Sequence, residues 1–311
     1  MKYCFGVDIG GTTVKMGLFT TEGMLLDKWE IKTHTENKGE SILPDIAQAI
    51  ADKMREKDIL KDNIEGVGVG IPAPVDSEGV VQNTANLGWG YKEVTRELRE
   101  LLGGLKVAAG NDANVAALGE MWLGAGRGQK NMIMVTLGTG VGGGVIINGK
   151  VLVGANGAGG EIGHICVNYE ETESCGCGKQ GCLEQYASAT GIARLARIRL
   201  QKDMEETVLR GMDVDAKAVF DAVKAGDKVA IEIAKEFGEY LGHAMANLAV
   251  ITDPNAIVIG GGVSKAGEIL LPFIEKPFQE KAFFANKDVK FVLATLGNDA
   301  GICGAAKLII E

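Results

Sequence analysis

The chain has 311 residues, 46% of them hydrophobic and 23% charged, and a formal net charge of −9. That length accommodates two domains with separate cores, and the composition is that of a soluble globular enzyme. The acidic balance leaves no basic face to displace counterions, which argues against a nucleic-acid partner. No run approaches the ~20 apolar residues of a membrane span, and no apolar signal segment precedes the first strand, so a cytoplasmic protein with reduced cysteines and no membrane partner is expected.

Tyr3–Ile9 reads as a buried strand, Gly10-Gly11-Thr12-Thr13 as a turn, and Val14–Phe19 and Met24–Ile31 as two further strands of a meander. Ile42, Ile46, Ile50 and Met54 recur at i, i+4 and predict a helix over about 41–57. Glu65–Ile71 is a strand with glycine at every other position, which implies an element packed close to its backbone. A loop through Asn83, Asn86 and Trp89 leads to a helix over about 93–102, a short strand at Lys106–Ala109 and a helix at Asn111–Leu123. The order then starts again. Asn131–Leu137 is a strand, Gly138–Gly144 a glycine loop, Val145–Ile147 a strand, Asn148-Gly149 a hairpin signal and Val151–Val153 a strand. Helices are expected at Gly191–Leu200, Ala216–Lys224, Val229–Ile251, Lys265–Phe283 and Ala300–Ile310, with strands at Ala256–Ile259 and Val289–Ala294. The last helix is placed back on the first domain. Val7-Asp-Ile-Gly10 overlays on Val135-Thr-Leu-Gly138, so the chain reads as an approximate duplication, each half an α/β sheet with helices on both faces.

One insertion has chemistry of its own. Gly159-Gly-Glu161-Ile-Gly-His164 is followed by Cys175-Gly-Cys177-Gly-Lys-Gln-Gly-Cys182-Leu-Glu184, and the stretch holds one of three histidines and three of six cysteines. His164, Cys175, Cys177 and Cys182 supply the four ligands of a closed tetrahedral zinc site, with no position open for catalysis. The alternatives are a disulfide, strained at Cys175–Cys177 spacing, or reduced cysteines packed as small hydrophobes. Glu161 and Glu184 flank the ligands, so the metal reads as a staple that presents acids and a histidine face to a ligand.

Three glycine loops suit phosphate or a base. Asp8-Ile-Gly10-Gly11-Thr12-Thr13-Val-Lys15 joins two strands, so it is not a Walker A loop, but it offers N–H donors, hydroxyls and one cation. Asp8 is placed to hold magnesium, through water. Gly138-Thr139-Gly140 occupies the duplicated position, and Gly260-Gly261-Gly262 follows a strand. Each alone reads equally well as a tight turn; the pair in duplicated positions points to a triphosphate. Asn111 or Asp112 is either a helix cap or chemistry.

These loops and the two-fold pattern resemble the actin, sugar-kinase and heat-shock chaperone ATPase superfamily. Asn111-Asp112, Glu161-x-x-His164 and the C-x-C-G-x-x-G-C-x-E segment resemble the ROK family of bacterial sugar kinases and repressors, and within it the glucokinases. The resemblance spans essentially the whole chain. It implies a duplicated actin-like (RNase H-like) α/β fold in two domains with a cleft between them: residues 1–118 with 299–311, and residues 119–298 carrying the zinc insertion. It implies an ATP- and magnesium-dependent glucokinase in which Asp112 is the general base toward the sugar C6 hydroxyl. Asn86, Asn111, Asp112, Glu161, His164 and Glu184 then hold the sugar. Asp8, Gly10, Gly11, Thr12, Thr13, Lys15, Gly138, Thr139, Gly140 and Gly260–Gly262 hold the nucleotide, and the zinc is structural. A homodimer is implied as well. Fructose, mannose, allose, N-acetylglucosamine and N-acetylmannosamine kinases share these features, as does a sugar-sensing regulator. A regulator carries a helix-turn-helix ahead of the first loop, and with that loop at Asp8 none is expected. Losing the zinc is expected to weaken sugar binding and to change ATP binding little.

Overall fold

The computed structural model describes residues 1–310. In chain order these form β1 (Tyr3–Ile9), β2 (Thr13–Thr20), β3 (Leu25–Lys32), the single turn α1 (Glu36–Gly39), α2 (Ile42–Glu56), β4 (Ile64–Ile71), β5 (Val80–Val81), β6 (Lys92–Glu93), α3 (Val94–Leu101), β7 (Val107–Asn111) and α4 (Asp112–Leu123). They continue as β8 (Met132–Leu137), β9 (Val141–Ile147), β10 (Lys150–Val151), α5 (Glu184–Ala187), α6 (Ala189–Lys202), α7 (Ala216–Lys224), α8 (Lys228–Thr252), β11 (Ala256–Gly260), α9 (Leu271–Lys281), β12 (Lys290–Leu293) and α10 (Ala300–Lys307).

The two main sheets repeat one plan. One runs β3-β2-β1-β4-β7 and the other β10-β9-β8-β11-β12. β4 is parallel to β1 and to β7, and β11 is parallel to β8 and to β12. The duplication read from Val7–Gly10 and Val135–Gly138 is therefore a duplication of sheet order. By contact density the chain divides into one unit of Met1–Gly128, Gly144–Gly160 and the segment from Thr295, and another of Gln129–Gly143 and Glu161–Ala294. This division by packing differs in its bounds from the one that the resemblance implies, residues 1–118 with 299–311 and residues 119–298.

In the first unit α2 buries Ile42, Ile46 and Ile50 against Phe5, Val7 and Val69 of the sheet. α10 covers the glycine-lined strands. A Cβ at Gly6 or Gly68 would overlap the backbone carbonyls of Ile302 and Ala305, so the alternating glycines of β4 are the seat of that helix. Trp89 is loop packing, as its position suggests: it is 3% exposed and donates its indole N–H to Gly39 O at 2.9 Å. In the second unit the 25-residue α8 buries Val229, Ile233, Phe237, Leu241 and Met245 among α6, α7 and α9.

Several expected boundaries shift, each for a local reason. β9 starts at Val141, so Gly142–Gly144 are strand residues and the loop shrinks to 138–140. Gly144 serves close packing, since a Cβ there would lie 2.5 Å from Ala117 Cβ. The single helix expected over 265–283 is two 3-10 turns followed by α9, because Gly267 has φ of +87° and Pro272 falls in the first turn of α9. The β5–β6 ribbon, pairing Val80 with Glu93, gave no sequence signal because each strand has two residues.

Candidate active site

Asp8, next to last in β1, lies opposite Lys15 of β2 and Gly70 of β4. The turn between β1 and β2 closes through Gly10 N–H to Thr13 O at 3.0 Å. Thr33, just past β3, clips it from the side, with its hydroxyl on Gly10 O at 2.7 Å and its N–H on Thr12 O at 2.9 Å. Gly11 and Thr12 are left exposed, and the exposed Asn86 stands against Gly11, its Cβ 3.3 Å from where a Gly11 Cβ would be. The Asp8 carboxyl lies between Gly70 and Gly301; a Cβ on Gly301 would be 2.5 Å from Asp8 Cγ. Burial and the charge of Asp112 push Asp8 up to about 6, with Lys15 pulling the other way. A cation beside this carboxyl would reverse that balance.

At the start of α4 the two readings of Asn111-Asp112 separate. Asn111 is the N-cap: Oδ1 accepts the N–H groups of Ala113 at 3.0 Å and Asn114 at 3.2 Å, and Nδ2 donates to Ala73 O at 3.2 Å. Asp112 is the first helical residue, half-buried, with Oδ1 accepting from Ala113 N at 2.8 Å. Its carboxylate sits at the positive end of the helix, close enough to Asp8 for their charges to interact. Asn114, which carried no signal in the sequence, is buried and donates to Gly159 O at 3.2 Å.

The second unit gathers the other residues. The 138–140 turn closes through Gly138 N–H to Gly140 O at 2.9 Å. The start of α6 is stitched to it by Ala189 N–H on Gly138 O and the Thr190 hydroxyl on Thr139 O, both at 2.8 Å. Gly261, at φ +83°, lies on the backbone of Leu137, where a Cβ would be 2.5 Å away, so the 260–262 loop adjoins the 138–140 turn. Glu184 begins α5. Its Oε2 accepts Val141 N–H at 3.0 Å and fills the space of a Gly140 Cβ, while its Oε1 lies 3.7 Å from Cys175 Sγ. Glu161 and His164 bracket one 3-10 turn, joined by His164 N–H to Glu161 O at 3.2 Å, with both side chains exposed.

The four expected metal ligands converge. The ligand atoms of His164, Cys175, Cys177 and Cys182 all lie within 4.8 Å of one another. Cys177 Sγ is 3.6 Å from Cys182 Sγ, and His164 Nδ1 is 3.9 Å from Cys175 Sγ. Sulfurs ~2.3 Å from a tetrahedral zinc stand ~3.8 Å apart, so the spacing fits the ion, and the cysteines are free rather than bridged. Burial pushes Cys182 up to about 12 and raises Cys175, while the Lys179 backbone N–H lowers Cys177. A dication among them would stabilise all three as thiolates, and its binding would release protons. Gln185 braces the loop, donating to Glu173 O and accepting from Cys182 N–H. Against the cost of its burial, Glu171 is held down at about 2 by the Tyr186 hydroxyl, the Glu173 N–H and Arg194. That network ties the insertion to α6.

The remaining histidines stand apart. His34 faces the Asp45 carboxylate at 2.8 Å, and His243 borders a hollow of about 520 Å³ on α8 with Glu232, Glu236 and Glu239. A second hollow, about 510 Å³ and lined by Ile50, Met54, Leu60 and Leu101, includes none of the motif residues either.

The chain is similar to known sugar kinases. A glucokinase of Halalkalibacterium halodurans is 45% identical over 314 residues, which cover 99% of this chain and 95% of that protein. The crystal structure of a ROK family glucokinase from Streptomyces griseus in complex with glucose and AMPPNP is 35% identical at a TM-score of 0.75, covering 98% of each chain. That of a ROK hexokinase from Thermus thermophilus is 33% identical at a TM-score of 0.82, covering 98% of this chain and 96% of that one. The ROK family model matches residues 4–311, and with a match of that extent the chain belongs to the ROK family.

Proposed function

We propose that this chain is an ATP-dependent glucokinase. The observation that carries the reading is Asp112 at the start of α4, its charge felt by Asp8 beside the Gly10–Thr13 turn. In the reaction the C6 hydroxyl gives its proton to the Asp112 carboxylate. The C6 oxygen attacks the γ-phosphorus, and the bond from that phosphorus to the ADP oxygen breaks. Phosphoryl transfer of this kind needs positioning and charge neutralisation, with one carboxylate to orient the nucleophile.

Asn86, Glu161, His164 and Glu184 hold the sugar hydroxyls in this reading. Asn111 adds at most one N–H, since capping and Ala73 take its other groups. Gly10–Thr13, Lys15, Gly138–Gly140 and Gly260–Gly262 hold the nucleotide. Magnesium, held by Asp8, neutralises phosphate charge when bound. His164, Cys175, Cys177 and Cys182 hold a structural zinc, with His164 Nδ1 toward the sulfurs and Nε2 toward sugar. The functional division into residues 1–118 with 299–311 and residues 119–298, the homodimer and the cytoplasmic location belong to the same proposal. The second reading is a ROK kinase of another hexose or N-acetylhexosamine.

Coupled ADP release with a panel of hexoses and N-acetylhexosamines tests this. Turnover highest with glucose is expected. Turnover only with another sugar selects the second reading, and no sugar-dependent ADP release rejects both.

A further inference from the structure

Glu120 lies on α4, about two turns beyond Asp112, and is 0% exposed. Its carboxylate accepts the N–H of Ala125 at 2.8 Å, of Thr295 at 3.0 Å and of Leu296 at 2.8 Å, and the Thr295 hydroxyl at 3.4 Å. Its backbone carbonyl accepts Gly124 N–H at 3.1 Å and Gly126 N–H at 3.0 Å. These partners are not arbitrary. The chain first leaves this unit after Gly128, returns to it for Gly144–Gly160 and re-enters it for the last time at Thr295. One buried side chain therefore fastens both the departing and the returning segment to the end of α4.

The returning segment leads directly into α10. That helix seats Asp8 through Gly301 and crosses α4 so tightly that a Cβ on Gly304 would overlap the Val115 carbonyl. Asp8 thus depends on where α10 begins, and Asp112 depends on where α4 lies. Glu120 joins the two helices at the ends away from Asp112. A buried carboxylate is costly to keep, and here that cost is offset by three backbone N–H groups and one hydroxyl that an apolar residue would leave without this acceptor.

We propose that Glu120 is a positioning residue for phosphoryl transfer, which sets Asp8 relative to Asp112 by fixing the entry of α10 against α4. The proposal rests on the sugar-phosphorylating reading above. Its test uses full-length, zinc-loaded Glu120→Gln and Glu120→Ala. Gln keeps the shape but turns an NH2 toward donors that need an acceptor. At temperatures well below unfolding, kcat should fall ~10–100-fold in Glu120→Gln, as expected of small misplacements at a reacting centre, with the glucose KM and the zinc content little changed. Hydrogen exchange should rise at Ala125, Thr295, Leu296 and along α10, but not over His164–Cys182. A lower melting temperature with wild-type kcat in the folded variants would make Glu120 merely structural and overturn the proposal. If Glu120→Ala does not fold, Glu120→Gln alone decides. A wild type that phosphorylates no sugar would instead overturn the kinase reading; the exchange pattern then still decides whether Glu120 holds α10, and unchanged exchange there would sink that too.

Discussion

Asn111 spends its side chain on the backbone, and the residue after it keeps a carboxylate at the mouth of α4. Asp112→Asn preserves that shape and removes the proton acceptor. Turnover should fall by ~10²–10⁴ with sugar binding largely retained; turnover within a few-fold of wild type would leave Asp112 with no chemical role. Asp8 offers a test by pH. Its pKa is raised from an ordinary 3.8 to about 6 by burial and by Asp112. The folded protein therefore holds a proton that the unfolded chain releases. The stabilisation is complete below pH 3.8 and is lost as pH rises through 6. Without added magnesium, Asp8→Asn should be more stable than wild type at pH 8, by on the order of 3 kcal/mol, and nearly equal to it at pH 4. Denaturant melts at the two pH values check this, and equal stabilities at pH 8 would show that the buried charge costs nothing. Saturating magnesium should shrink the gap.

α10 is positioned by glycine on both sides, on β1 and β4 beneath it and on α4 beside it. Gly68→Ala puts a methyl group into the Ala305 carbonyl, where backbone must move. A loss of ~1–3 kcal/mol is expected, as for overpacked cores, read as a lower denaturation midpoint at constant slope. No loss would mean that the helix shifts freely. Glycine alternation in β4 foretold a close neighbour, and the α2 stripe foretold its buried face, because both are local patterns. Which helix fills the seat is not local, since Gly68 and Ala305 are distant in the chain. The helix over 265–283 was overextended because its apolar spacing continued across Gly267, whose left-handed conformation interrupts it. Glu120 did leave a trace: it falls at i+7 from Ala113 and i+3 from Ala117, on the apolar side of α4. A charged residue on such a stripe is a question that sequence periodicity poses and cannot answer.

Across the molecule, duplication was legible because Val7–Gly10 and Val135–Gly138 sit at the same point of two sheets with one strand order. The convergence of His164, Cys175, Cys177 and Cys182 was legible because spacing within a short segment limits what four side chains can do. The partners of Glu184 were not, since nothing in the sequence places its carboxylate on Val141. That contact alters the expected result of metal loss. Cys177→Ala should lose zinc and weaken glucose binding strongly. Nucleotide affinity should fall as well, because Glu184 lies beside Cys175 and holds the 138–141 turn. Metal analysis with calorimetry of glucose and AMPPNP checks this; unchanged nucleotide affinity would return to the simpler expectation of a sugar-side effect alone. Coupling between two sites is reciprocal by thermodynamic necessity. If the metal tightens the turn around phosphate, phosphate at the turn tightens the metal by the same factor. The chelator concentration that strips half the zinc should then be higher with nucleotide bound, which would make the enzyme's hold on its metal a gauge of how much ATP surrounds it.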